Sequence, residues 1–108
     1  MKCLVLSITL LVARTSSCAA DLPAGKLTRY TYTQSKTFPG TTRDYRLYVP
    51  AQYEAGKPAC VMIFQDGGGF VKEGGPWRVS AVFDTLIDQG AMPVTIGIFI
   101  DPGITAAL

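Results

Sequence analysis

The sequence predicts the N-terminal part of an α/β sheet: antiparallel edge strands, then a strand–loop–helix–strand parallel unit, truncated before the fold is complete. Three observations carry this. Two early segments alternate in polarity, two later ones are continuously apolar, and a stretch of helical periodicity lies between the apolar pair. The chain has 108 residues, near the lower end of the ~100–200 residues of an ordinary domain.

The first element stands apart from the rest. Met1-Lys2 is a short positive start, Cys3 to Ala13 is an apolar run, and Cys18-Ala19-Ala20 is a small-residue stretch. This is the layout of a secretory signal with its cleavage site. The run is shorter than the ~20 apolar residues that span a bilayer. Residues 1–20 are therefore expected to be a signal peptide and the product secreted or periplasmic. A buried N-terminal helix is the alternative, but Asp21 to Gly25 (DLPAG) reads as a linker. Lipid anchoring at Cys18 ranks lower, because Thr15-Ser16-Ser17 matches a lipid-attachment box poorly.

Charge and cysteine counts follow from that cut. The net +2 of the chain resides in the signal; beyond Ala20 four Lys and four Arg balance eight Asp plus Glu. Nothing in this balance points to a nucleic-acid partner. Cys60 remains as a single cysteine, so no internal disulfide forms, and its apolar neighbours suggest a small buried side chain. The chain contains no histidine. A Ser-His-Asp or Cys-His site cannot be assembled from these residues alone.

Lys26 to Thr33 (KLTRYTYT) alternates, with Tyr30 and Tyr32 on one side and Arg29, Thr31 and Thr33 on the other. Such a pattern suits a half-exposed strand. Phe38-Pro39-Gly40 marks a turn. Thr42 to Val49 (TRDYRLYV) alternates again: Tyr45, Leu47 and Val49 share one face, Asp44, Arg46 and Tyr48 the other. Pro50 ends it. The two strands are expected to pair antiparallel with one wet face.

Ala59 to Phe64 (ACVMIF) and Val94 to Ile100 (VTIGIFI) are apolar throughout, apart from Thr95 and Gly97. Strands covered on both faces read this way. Between them Val79, Val82, Phe83, Leu86 and Ile87 fall on one helical face, with Asp84 and Asp88 opposite in solvent. Ser80 suits the helix start and Gly90 its end. One helix covers one face only, so the sheet is expected to be unfinished, with Asp101 to Leu108 (DPGITAAL) a loop.

In open α/β sheets ligands bind beyond the carboxyl ends of the strands. Those ends carry Gln65-Asp66-Gly67-Gly68-Gly69 and Asp101-Pro102-Gly103. The loop Asp66 to Trp77 (DGGGFVKEGGPW) holds five glycines. Consecutive glycines permit φ > 0 and close approach of backbone N–H groups, which can stabilise an oxyanion. A plain flexible turn is the alternative. The loop lacks the Gly-Lys-Ser/Thr of a phosphate loop and the spacing of a dinucleotide fingerprint. Asp66 is read as a loop organiser. Trp77 either lines a pocket or anchors the loop. Asp66 and Asp101 offer a cation two carboxylates and no further ligand, so neither metal nor cofactor is expected.

With those pieces in order, Arg43 to Gly103 resembles the N-terminal half of the esterases related to enterochelin esterase and esterase D. The resemblance rests on an R-x-Y-x-L-Y-x-P-like strand (Arg43 to Pro50), an apolar strand ending in a glycine turn (Ala59 to Gly69), a helix ending near Pro93, and a strand ending at Asp101-Pro102-Gly103. It implies an α/β-hydrolase fold, a serine nucleophile and a small-molecule ester substrate. It also implies that the backbone N–H groups of Gly67, Gly68 and Gly69 are oxyanion-hole candidates; Asp66, Trp77 and Asp101 are, from their place on the loop and strand ends, candidates for lining the pocket. Many relatives carry His where this chain has Asp66, and the G-x-S-x-G elbow is absent. No catalytic side chain is therefore assigned to this chain. Residues 21–108 are expected to be the N-terminal portion of such a domain. Two other readings stand beside it: a secreted carbohydrate- or ligand-binding module using Tyr30, Tyr32, Tyr45 and Tyr48, and an inactive gene fragment.

Overall fold

The computed structural model describes residues 21–105. The expected signal peptide, with Cys18, lies outside the described residues.

Among the described residues five strands and one α-helix follow in order: β1 (Lys26–Tyr32), β2 (Thr41–Val49), β3 (Cys60–Gln65), α1 (Val79–Asp88), β4 (Thr95–Ile100) and β5 (Ile104–Thr105). The sheet order is β1-β2-β4-β3, with β5 also on β2. β1 and β2 pair antiparallel, from Lys26 opposite Val49 to Tyr32 opposite Arg43. β3 and β4 pair parallel, from Cys60 opposite Thr95 to Gln65 opposite Ile100. α1 lies in the crossover between them, the connection a parallel pair requires. As far as β4 the expected order of elements is thus the observed one.

The register divides the sheet into two unlike faces. Tyr48 is opposite Gly97, and Phe64 is opposite Phe99. Tyr48 and Phe99 are fully buried and form the core with Phe83 and Ile87 of α1, against which Phe64, Phe70 and Val71 pack. Phe64 stacks on Phe99 at 4.7 Å between ring centroids, and Tyr48 meets Phe83 edge-on at 5.6 Å. Such pairs contribute beyond their area burial. The residues of the other face, one position along each strand, include Val61 and Ile63, which are 58% and 61% exposed.

Several expectations change here. β3 and β4 were expected to be buried on both faces, yet β4 alternates buried with half-buried residues and β3 is exposed at five of its six positions. β3 sits at the sheet edge, and α1 covers one face. Cys60 is for the same reason exposed rather than buried. On α1 the stripe is narrower than the periodicity suggested: Phe83 and Ile87 are buried, whereas Val82 is 46% exposed. Asp84, expected in solvent, turns to the sheet, where its Oδ1 accepts from the Tyr48 hydroxyl and the Gly25 N–H, both at 2.7 Å.

The ends of α1 divide the same way. Arg78, not Ser80, occupies the N-cap, in the left-handed region with no side-chain cap bond, and the Ser80 hydroxyl is buried without a partner among the described residues. The C-terminal end follows expectation. Gly90 has φ +68°, its N–H donates to the Ile87 carbonyl at 3.1 Å, and the Ala91 N–H donates to the Leu86 carbonyl at 2.9 Å. These are the paired bonds of a Schellman motif.

Past Ile100 the chain is not the plain loop expected. β5 returns to pair with the start of β2, Thr41 opposite Thr105 and Thr42 opposite Ile104. β4 reaches β2 only as far as Tyr45 opposite Ile100. That leaves the first residues of β2 with unpaired backbone groups for β5 to satisfy.

Candidate functional site

The carboxyl ends of β3 and β4 lie side by side, because parallel pairing carries Gln65 opposite Ile100. Beyond them is a cavity of ≈ 320 Å³ lined by Arg43, Ile63, Gln65, Asp66, Ile100, Asp101 and Pro102. The structure therefore brings Asp66 and Asp101 to one cavity, at the strand ends where sequence reasoning put a site. Trp77 goes elsewhere. It packs on Phe70 at 5.9 Å and lines a separate hollow with Pro76, Arg78 and Val82.

The glycine turn has a geometry the sequence did not suggest. Gly67–Gly69 form a single 3-10 turn, closed by the Phe70 N–H donating to the Gly67 carbonyl at 3.1 Å. None of the three has a positive φ; that conformation falls on Asp66, at φ 54° and ψ 39°. Aspartate is among the residues that tolerate it best. Gly67 is needed for space, since a Cβ there would run into the backbone of Phe99. The turn is thereby seated directly on β4.

Asp101 is the polar centre of the arrangement. Its Oδ1 accepts the Gly68 N–H at 2.8 Å, and its Oδ2 accepts from the Arg46 guanidinium at 2.9 Å. Its own N–H donates to the Asp44 carbonyl at 2.9 Å. Of the three glycine amides proposed as oxyanion donors, that of Gly68 is thus already bonded to a carboxylate. Arg46 was not singled out as a site residue from the sequence. Its only signal was a charge on the strand face that also carries Tyr48.

A second polar cluster lies at the far edge. Asp44 accepts from Thr31 Oγ1 at 2.6 Å and is paired with Arg29. The Thr31 hydroxyl first, and then Arg29, hold its carboxyl below the usual range. Among the described residues no group of three or more His, Cys, Asp or Glu side chains is placed to hold a metal.

The tyrosines divide. Tyr30 and Tyr45 stack across β1 and β2 at 5.3 Å. With Tyr32, Arg43, Ile98 and Ile100, Tyr45 borders a hollow of ≈ 300 Å³ on the uncovered face. Tyr48, grouped with them from the sequence, is fully buried on the opposite face and cannot touch a ligand.

No family model matches the chain, and no curated protein matches it. Among solved structures it is similar to a protein described as FAE, with TM-score 0.60 and 20% identity over 73% of this chain and 28% of that one. It is also similar to a serine-to-alanine mutant of the feruloyl esterase module from Clostridium thermocellum complexed with sinapinate. There the TM-score is 0.56 and the identity 22%, over 74% of this chain and 27% of the module. The chain thus spans little more than a quarter of the length of either structure. The likeness shows a partial α/β fold shared with esterase modules.

Proposed function

We propose that this chain is the sheet-forming portion of an exported carboxylic-ester hydrolase, contributing core strands and a glycine turn beside the reacting centre. The enterochelin-esterase kinship drawn from the sequence belongs to this reading. So does export through residues 1–20. The observation that carries it is the placement of the Gly67–Gly69 turn at the carboxyl ends of β3 and β4, next to the Asp66–Asp101 cavity. In α/β hydrolases the loop after the equivalent strand supplies an oxyanion donor. Fold likeness to feruloyl esterase modules supports the same reading, and makes feruloyl-type esters the first to try.

Chemically, the turn donates hydrogen bonds and does not attack. The chain has no histidine and none of its serines stands in a G-x-S-x-G elbow, so on this reading the nucleophile and its base are residues other than these. Removing one oxyanion donor typically costs ~2.7–4 kcal/mol of transition-state stabilisation, so such a turn matters without bearing a nucleophile. The purified chain should release no p-nitrophenol from p-nitrophenyl acyl esters above buffer. Turnover would refute the need for other residues. The coding sequence after Leu108 decides the wider reading, and a continuation without G-x-S-x-G removes it.

A binding role has one specific observation in its favour, the hollow beside Tyr32, Tyr45 and Arg43. Thermal shift against a panel of glycans tests it. A flat response across the panel discards it.

A further inference from the structure

We propose that Asp101 is a positioning residue: its carboxylate clamps the Gly67–Gly69 turn to β2 and to the end of β4 and so sets where the Gly68 amide points. This rests on the reading of that turn as part of the reacting site.

The clamp joins three segments through one side chain. Oδ1 holds the turn by the Gly68 N–H at 2.8 Å, and Oδ2 holds β2 by Arg46 at 2.9 Å. The Asp101 N–H fixes its own backbone to the Asp44 carbonyl at 2.9 Å. Both carboxylate oxygens are therefore used, and both bonds are charge-assisted, the stronger class of hydrogen bond. Arg46 and Asp101 are each about three-quarters shielded, at 21% and 27% exposure, so water competes weakly for them.

Gly68 itself argues for the same role. Its φ is not positive, so no backbone strain calls for glycine. A Cβ there would lie 2.8 Å from Asp101 Oδ1 and 3.0 Å from Arg46 Nη1. A side chain at this position would have to displace the ends of the carboxylate and the guanidinium, so glycine leaves the clamp undisturbed. Gly67 is excluded from bearing a side chain by the Phe99 backbone beneath it. The turn is thus pressed on β4 from one side and tethered through Asp101 from the other. The Gly68 N–H and the Gly67 carbonyl are thus both held before any ligand arrives, and preorganisation of this kind is what a donor turn requires.

The test is spectroscopic and uses the full chain. In uniformly ¹⁵N,¹³C-labelled protein a through-hydrogen-bond coupling is expected between the Gly68 ¹⁵N and the Asp101 ¹³Cγ. Asp101→Asn keeps an acceptor oxygen and should keep Gly68 slow to exchange. Asp101→Ala should speed Gly68 exchange by about tenfold or more relative to Gly97, which sits within β4. A lesion that merely loosens the fold would move both glycines together, and the Asn variant would not rescue. Absence of the coupling in the unmodified chain, or equal Gly68 exchange in it and in Asp101→Ala, overturns the clamp. In a longer, ester-hydrolysing form, Asp101→Ala should lower kcat and leave KM nearly unchanged, and an unaltered kcat overturns the positioning role. If no form hydrolyses esters, the functional reading falls and the couplings still judge the clamp.

Discussion

Tyr48 shows how one side chain can belong to a different face from the one its neighbours suggest. It lies among polar residues in the alternation of β2, yet it is fully buried, with its hydroxyl donating to Asp84 Oδ1 at 2.7 Å. Burial first, and then the bond to Asp84, push its ionisation well above the ~10 of an ordinary tyrosine. The folded chain therefore holds this proton more tightly than the unfolded chain. Its contribution is fully present below about pH 10 and is lost as pH rises beyond it. Urea titrations at rising pH should show that decline, and Tyr48→Phe should flatten it. At neutral pH the same variant should lose about 1–2 kcal/mol, because a hydrogen bond to a charged acceptor disappears. Gly67 makes a second case. Gly67→Ala forces a methyl group into the Phe99 backbone, and a loss of about 1–3 kcal/mol is expected in the same titration.

Among the elements, α1 has a sound C-terminal end and a poor N-terminal one. Gly90 at φ +68° closes the helix through its Schellman bonds. Gly90→Ala would place a Cβ in the left-handed region and should lower stability by about 1–2 kcal/mol in denaturant unfolding. Arg78 at φ 40° already bears that penalty and offers no capping oxygen. Arg78→Gly should thus raise the unfolding midpoint, equivalent to a gain of about 1 kcal/mol. A midpoint unchanged or lowered would mean that Arg78 makes a compensating contact. The C-terminal end was legible because glycine at a helix end has one dominant cause. The start was not, since Ser80 offered a capping side chain two residues past the actual N-cap, Arg78.

For the whole molecule the decisive feature is the asymmetry of the sheet. The face of Tyr48 and Phe99 is covered by α1 and the glycine turn, while Val61, Ile63 and Tyr30 on the other stand largely exposed. Contiguous apolar surface of this kind, next to an open strand edge at β3, favours association. Sedimentation of the purified chain should show association that grows with concentration. Ile63→Lys should weaken it, by placing a charge in the centre of the surface. A chain that stays monomeric at all concentrations would show that the face is compatible with water.

The sequence by itself determined the order of elements as far as β4, the antiparallel pairing of β1 with β2, the parallel pairing of β3 with β4, and the edge of the sheet where Asp66 and Asp101 meet. Periodicity and apolar runs are local properties, and local properties place elements. Tertiary structure alone decided which face is buried, why Gly67 is a glycine, where Asp84 turns, and that Arg46 joins Asp101 to the turn. Each of these depends on residues far apart in the chain, such as Arg46 and Asp101 or Gly67 and Phe99. No pattern along one segment records what another segment will place against it.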